Sequence, residues 1–179
     1  MVQELIDYRL AAYEVRRTTA AVPDNVIPLK PATSPRTELP FFPNLKIACG
    51  HFKTGSVDAE EHHGLGSSYG HLGPSRHFIA RASGDSMDGG KKPIRDGDYL
   101  LLELVSPHNA GSITGSVMAI ERQDESGDNH YLLRVVTKAD DGRYHLKANN
   151  PAYDEMEATD DMRTLARLKA IIDPLDWSC

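Results

Sequence analysis

The stretch ASGDSMDGGKKPIRDGDYLLLELV, residues 82–105, joins two different textures. In its first half Ser86 sits between Asp85 and Met87, with Gly84, Gly89 and Gly90 around it. Glycines permit a tight turn and close approach of backbone. Such a turn can aim amide N–H groups at an oxyanion. The second half, from Asp98 to Val105, is a strongly apolar strand. A serine on a glycine turn before such a strand raises a chemical question. Its hydroxyl is a weak nucleophile until a base accepts its proton. By chemistry alone Gly-Asp-Ser also suits an ordinary loop between strands, so both readings stand at this point.

Working outward, the chain from residue 46 reads as β structure. LKIACGHF (45–52) and RHFIARAS (76–83) are short extended candidates, and GSVMAIERQ (115–123) and HYLLRVVTK (130–138) flank a polar turn, DESGDN. KADDGRYHLKA (138–148) predicts a second hairpin turning at Asp141-Gly142. TLARLKAIIDPL (164–175) suits either helix or strand, and the two β-branched residues and terminating proline of its close, ARLKAIIDPL (166–175), favour a final strand. Many short strands with turns between them indicate a mainly β domain over residues 46–179.

The first 45 residues are different. Residues 1–19 predict one helix, with Leu5, Ile6, Leu10 and Tyr13 roughly on one side. Residues 20–45 carry six prolines and predict an extended proline-rich arm or linker. One helix is too few for a helix-turn-helix module.

Composition narrows the function classes. The 179 residues suggest one domain with an extra arm. A net charge of −6 argues against broad nucleic-acid binding through phosphate neutralisation. Two cysteines, Cys49 and Cys179, make no disulfide framework or zinc spacing and fit a cytoplasmic setting. No apolar run approaches the roughly 18 residues that span a bilayer, and the charged N-terminus does not read as a signal peptide. Of the eight histidines, His62, His63, His71 and His77 fall in a Gly/Ser-rich segment and predict surface loop rather than a metal site. No metal or cofactor is called for.

The motifs together resemble the LexA/UmuD family of self-cleaving serine peptidases of the bacterial DNA-damage response. The residues that carry this are Ser83, Gly84, Ser86, Met87, Gly89, Gly90, Ile94, Asp96, Gly97 and Asp98, in the family's order and spacing. KIACGHF (46–52) resembles the family's cleavage segment, and LKANNPAY (146–153) its late Asn-x-x-Tyr segment. The resemblance covers about residues 46–173 and is UmuD-like in lacking a visible helix-turn-helix. It implies a compact β fold, a homodimer, a Ser-Lys dyad with Ser86 as nucleophile, and a scissile bond between Cys49 and Gly50. The oxyanion donors would be backbone N–H groups in the turn Asp85, Ser86 and Met87. Implied partners are a recombinase filament and a damage-bypass polymerase. The wording PIRDGDYLLLE and YLLRV also resembles domains appended to bacterial helicase-type proteins.

The dyad position departs from the family pattern. Where the family places lysine, on the strand YLLRVVTK, this chain has Arg134. A buried lysine can lose its proton, whereas arginine stays protonated in proteins. Lys138 on the same strand is one alternative base, and His51 beside the implied scissile bond is another. Two functions follow: a self-cleaving peptidase acting at Cys49-Gly50, or a catalytically impaired descendant serving as a regulatory or interaction module.

Overall fold

A computed structural model describes residues 35–46, 59, 61–106 and 111–177, which fall within one compact unit, Ser34–Cys179. The N-terminal helix, most of the arm, Cys49, Gly50 and His51 lie outside the described residues. The unit is mainly β, as expected. Among the described residues nine strands form one sheet: β1 Thr37–Phe42, β2 Glu61–Leu65, β3 His77–Arg81, β4 Tyr99–Leu104, β5 Val117–Gln123, β6 Asn129–Lys138, β7 Tyr144–Lys147, β8 Met156–Glu157 and β9 Met162–Ile171. Their spatial order is β2-β1-β3-β4-β9-β5-β6-β7-β8. Every neighbouring pair is antiparallel except β1 with β3. A helical turn, α1 Pro174–Trp177, closes the described chain. No helix among the described residues is long and apolar enough to cross a membrane.

The three consecutive leucines of β4 have a simple cause. β3 and β4 lie inside the sheet and are covered on both faces. Phe78, Ala80, Leu100 and Leu102 join one apolar cluster, while Ile79 and Leu101 join another with Leu39, Leu65 and Ile172. A third cluster, Met118, Ile120, Val136 and Leu146, holds the β5–β7 end. Strands buried on both sides lose polar alternation. The long β9 changes register opposite Leu101/Leu102 and again opposite Ala119/Ile120. Such bulges bend a strand and add twist. Both predicted hairpins form, the second with Gly142 at φ 88° in its turn.

Two expectations are corrected. The sheet begins at Thr37, inside the segment read as proline-rich arm, because Leu39 and Phe42 are buried core residues. Pro40 lacks a donor, but the parallel ladder to β3 involves only Phe41 and Phe42, beyond that proline. The histidine-rich segment is not all surface loop either. His62 and His63 lie on β2, where His63 stacks on Trp177 at 3.8 Å.

His77 is 3% exposed at the start of β3. Its Nδ1 lies 3.1 Å from the Gly73 N–H, from which it accepts when unprotonated, and 3.3 Å from the Gly73 carbonyl, to which it donates when protonated; Nε2 lies 3.9 Å from Glu103. Burial is the largest influence and lowers its pKa; the Gly73 carbonyl and Glu103 oppose this, and Arg76 and Lys169 add to it. The folded state therefore binds fewer protons than the unfolded state in this window. Stability should be full above the unfolded value of about 6.5 and fall as pH drops below it. Thermal unfolding from pH 8 to 5 checks this. The midpoint should fall on the acid side, and less steeply in His77→Gln; equal slopes would remove His77 as the cause.

Candidate active site

The serine turn is held by the loop between β3 and β4. At its base the Ala82 N–H donates to Asp98 O at 2.8 Å and the Gly97 N–H to Ala82 O at 3.0 Å. The Asp96 carboxylate accepts the Gly84 N–H at 2.8 Å, and the Asp98 carboxylate accepts the Arg95 N–H at 2.7 Å. Gly84 and Gly97 take φ +83° and +89°, the left-handed region that favours glycine. These contacts give the Ile-Arg-Asp-Gly-Asp wording its physical content: two carboxylates and a positive-φ glycine close the loop.

Inside that loop, Met87 and Ile94 anchor the turn. Their side chains are 4% and 3% exposed and join the cluster of Phe42, Phe78 and Leu100. The Ile94 N–H donates to Met87 O at 3.0 Å. Ser86, next to the buried methionine, is half-exposed at the cleft.

A second segment, absent from the sequence-based site, clamps the turn from the other side. The Asn150 N–H donates to Ser86 O at 3.0 Å, and Asn150 Nδ2 donates to Asp85 O at 3.0 Å. Asn150 Oδ1 accepts the Ala152 N–H, and the Tyr153 hydroxyl donates to the Asp85 carboxylate. That carboxylate holds the Tyr153 pKa above its ordinary value. Gly89 packs directly on the Asn149 backbone, where a Cβ would stand 2.3 Å from the Asn149 oxygen. The Asn-x-x-Tyr wording at 150–153 carried the signal for this clamp, but spacing alone does not show what the two side chains grip.

Arg134 reaches the serine from β6. Its Nη1 donates to Ser86 Oγ at 2.8 Å and to the Leu133 carbonyl at 2.7 Å. The residue is only 8% exposed, and its guanidinium lies 5.9 Å from the Tyr153 ring centroid. Its Nε is buried without a hydrogen-bond partner among the described residues. Burial draws the pKa below the ordinary arginine value, with Tyr153 acting weakly the other way. Arginine is nevertheless protonated at neutral pH, so this side chain is a donor to Ser86 and accepts no proton from it.

The turn and β6 wall a cleft of about 730 Å³, to which Lys46, Asp128 and His130 also contribute. No acceptor among the described residues takes the N–H of Ser86 or Met87. These two donors, with Ser86 Oγ, form the part of the site suited to a developing negative charge.

The sequence-predicted residues thus divide. Asp85, Ser86, Met87 and Arg134 come together at one cleft. Lys138 does not join them. It lies four residues further along β6, roughly 13 Å by strand rise, exposed and 5.6 Å from the Tyr144 ring. As an alternative base it is displaced by the regular register of β6, which shows no bulge on its pairing with β7. Cys49, Gly50 and His51 are outside the described residues. No group of three or more metal-ligating side chains is assembled among the described residues.

No curated protein sequence matches the chain. A family model does: residues 40–169 match Peptidase S24-like, which takes in the end of β1, the serine loop, Arg134 and the clamp at Asn150–Tyr153. With a match across most of its length and a mainly β sheet of the expected kind, the chain belongs to the Peptidase S24-like family, that of the LexA/UmuD peptidases.

Proposed function

We propose that this S24 domain is a regulatory or interaction module that keeps the nucleophile turn and the cleft but does not cleave itself at neutral pH. The observation that carries this reading is the Arg134 Nη1 to Ser86 Oγ hydrogen bond of 2.8 Å. The position that would hold the proton acceptor holds a permanent donor, and a lone pair of the hydroxyl is engaged by a cation. Burial lowers the arginine pKa, but from an ordinary value far above neutrality, so the neutral form is not a working species.

Family membership supports placing the module in a bacterial DNA-damage or stress response. It equally supports action as a homodimer, or beside a recombinase filament, a damage-bypass polymerase or a helicase-type protein. These belong to the same proposal.

Intact mass measurement of the purified full chain tests the reading. After a day at pH 7 the chain should remain whole, indistinguishable from Ser86→Ala. Appearance of the fragment 50–179 in the natural protein but not in Ser86→Ala would overturn it and restore self-cleavage at Cys49-Gly50.

A further inference from the structure

β1 enters the sheet before the segment that holds Cys49 and Gly50. It spans Thr37–Phe42 and lies between β2 and β3, and residues 43–60 join it to β2. A cut at Cys49-Gly50, or anywhere in 43–60, separates β1 from β2 along the chain but not in the sheet.

The strand is held on both edges and both faces. Thr37 to Phe41 pair antiparallel with Leu65 to Glu61 of β2, and Phe41 and Phe42 pair with Ile79 and Ala80 of β3. Leu39 is fully buried among Leu65, Ile79, Leu101 and Ile172. Phe42, of opposite parity along the strand, is buried in the cluster of Phe78, Leu100 and Met87. Met87 anchors the nucleophile turn, so β1 helps to pack the residue next to Ser86.

A clasp closes over the same strand. Trp177 of α1 stacks on His63 of β2 at 3.8 Å and on Tyr99 of β4 at 3.7 Å, and it meets the Phe41 ring edge-on at 5.2 Å. The clasp is itself pinned. The Tyr69 hydroxyl donates to Asp176 at 2.7 Å and accepts the Asp173 N–H at 3.0 Å. One indole thus touches β1, β2 and β4. Departure of β1 would strip backbone partners from β2 and β3 and uncover apolar surface on both faces. Cutting 43–60 removes only the tether, which lowers the strand's effective concentration and leaves its contacts intact.

We infer that the slot between β2 and β3 is a binding site whose occupant is Thr37–Phe42 of this chain, and that it keeps the N-terminal part of the protein bound after residues 43–60 are cut. The domain does not act by letting go of residues 1–49. A cut yields a two-piece complex in which Phe42 still packs on Met87. The inference holds whether Ser86 or another peptidase makes the cut, so it stands or falls apart from the proposed function.

The test cuts the full chain from outside. Residues 51–57 are replaced by the recognition site of a sequence-specific protease, in a Ser86→Ala background that excludes cutting by the domain itself. Cutting is carried to completion, in mild urea where needed, and the urea is then removed. The two pieces, separate by mass under denaturing conditions, should co-elute on gel filtration at about 1 μM, the range of a stable complex. Trp177 is the one tryptophan of the chain, so its emission reports the clasp and should be the same before and after cutting. Leu39→Asp should release the N-terminal piece, with at least about tenfold more of it free, because the slot then has to bury an unpaired charge. Trp177 emission of the uncut variant verifies its fold. Where that variant does not fold, hydrogen exchange on the cut chain with Leu39 in place decides: the β1 amides should keep their protection within about threefold of the uncut chain.

A free N-terminal piece as the main species at that concentration, or loss of β1 protection on cutting, would overturn the inference. Co-elution that survives Leu39→Asp would do so as well, because another segment would then hold the pieces together. A chain that cleaves itself and keeps both pieces would sink the proposed function and leave the retained strand standing. An intact chain whose protease-cut pieces part would do the reverse.

Discussion

Arg134→Lys should switch on cleavage between Cys49 and Gly50 in a chain that is otherwise whole. The natural side chain is 8% exposed and its Nη1 stands 2.8 Å from Ser86 Oγ. A lysine rooted at the same point of β6 ends about one bond shorter, which rotamer adjustment can absorb. It enters a site with no carboxylate partner for its charge among the described residues, as the arginine does. Desolvation without a counter-charge lowers a lysine pKa, so the neutral amine becomes accessible. That amine can accept the Ser86 proton.

Positioned acid–base catalysis contributes about 10²–10⁴-fold, so a change from no measurable product to cleavage within hours is the expected scale. The sign with pH is fixed by the base. Cleavage should rise as pH rises through the depressed lysine pKa, because only the deprotonated form works, and level off above it. Intact mass at several pH values measures both. The product must vanish in Arg134→Lys combined with Ser86→Ala. An inert, folded Arg134→Lys chain would show that Arg134 is not the sole barrier to cleavage.

Gly89→Ala should cost the domain about 2–3 kcal/mol, within the range for overpacking a close contact. The new Cβ would stand 2.3 Å from the Asn149 oxygen, 2.8 Å from its carbonyl carbon and 3.1 Å from the Asn150 nitrogen. All three are backbone atoms, so no flexible side chain can move aside. The Asn149–Asn150 segment must separate from the serine turn, which breaks the 3.0 Å bond from the Asn150 N–H to Ser86 O. The thermal midpoint should fall by roughly 5–10 °C. Binding or cleavage measured at Ser86 should weaken with it. Gly73→Ala is the control, since nothing lies within 4 Å of its Cβ position and its backbone is not left-handed. If the two variants unfold together, the close approach at Gly89 does not hold the turn.

Much of this was legible in the residues, for identifiable reasons. The run Tyr99–Leu104 is β by its length and apolar content, and it is β4 in the sheet. The turns at 124–128 and 139–143 are marked by short polar residues and glycine, whose preferences are local. Other features escaped because their causes are distant in sequence. Thr37–Phe42 reads as linker from its prolines, yet Leu39 and Phe42 find covered places beside β3 and outweigh that local preference. His62 and His63 are read as loop by composition, whereas pairing with β1 makes them strand.

At the site the division is the same. The residue types alone put a serine on a glycine turn, and the family resemblance put Arg134 at the position of the dyad lysine. Protonation of arginine is intrinsic to the guanidinium, so that conclusion needed no coordinates. Tertiary structure decided the rest. It brought Ser86 and Arg134, 48 residues apart, to 2.8 Å. It carried Lys138 along β6 away from the cleft, and set Asn150 and Tyr153 as the clamp on the turn. It also left Arg134 Nε without a partner. Strand register and burial set these distances and vacancies, and both are properties of the assembled sheet rather than of any segment within it.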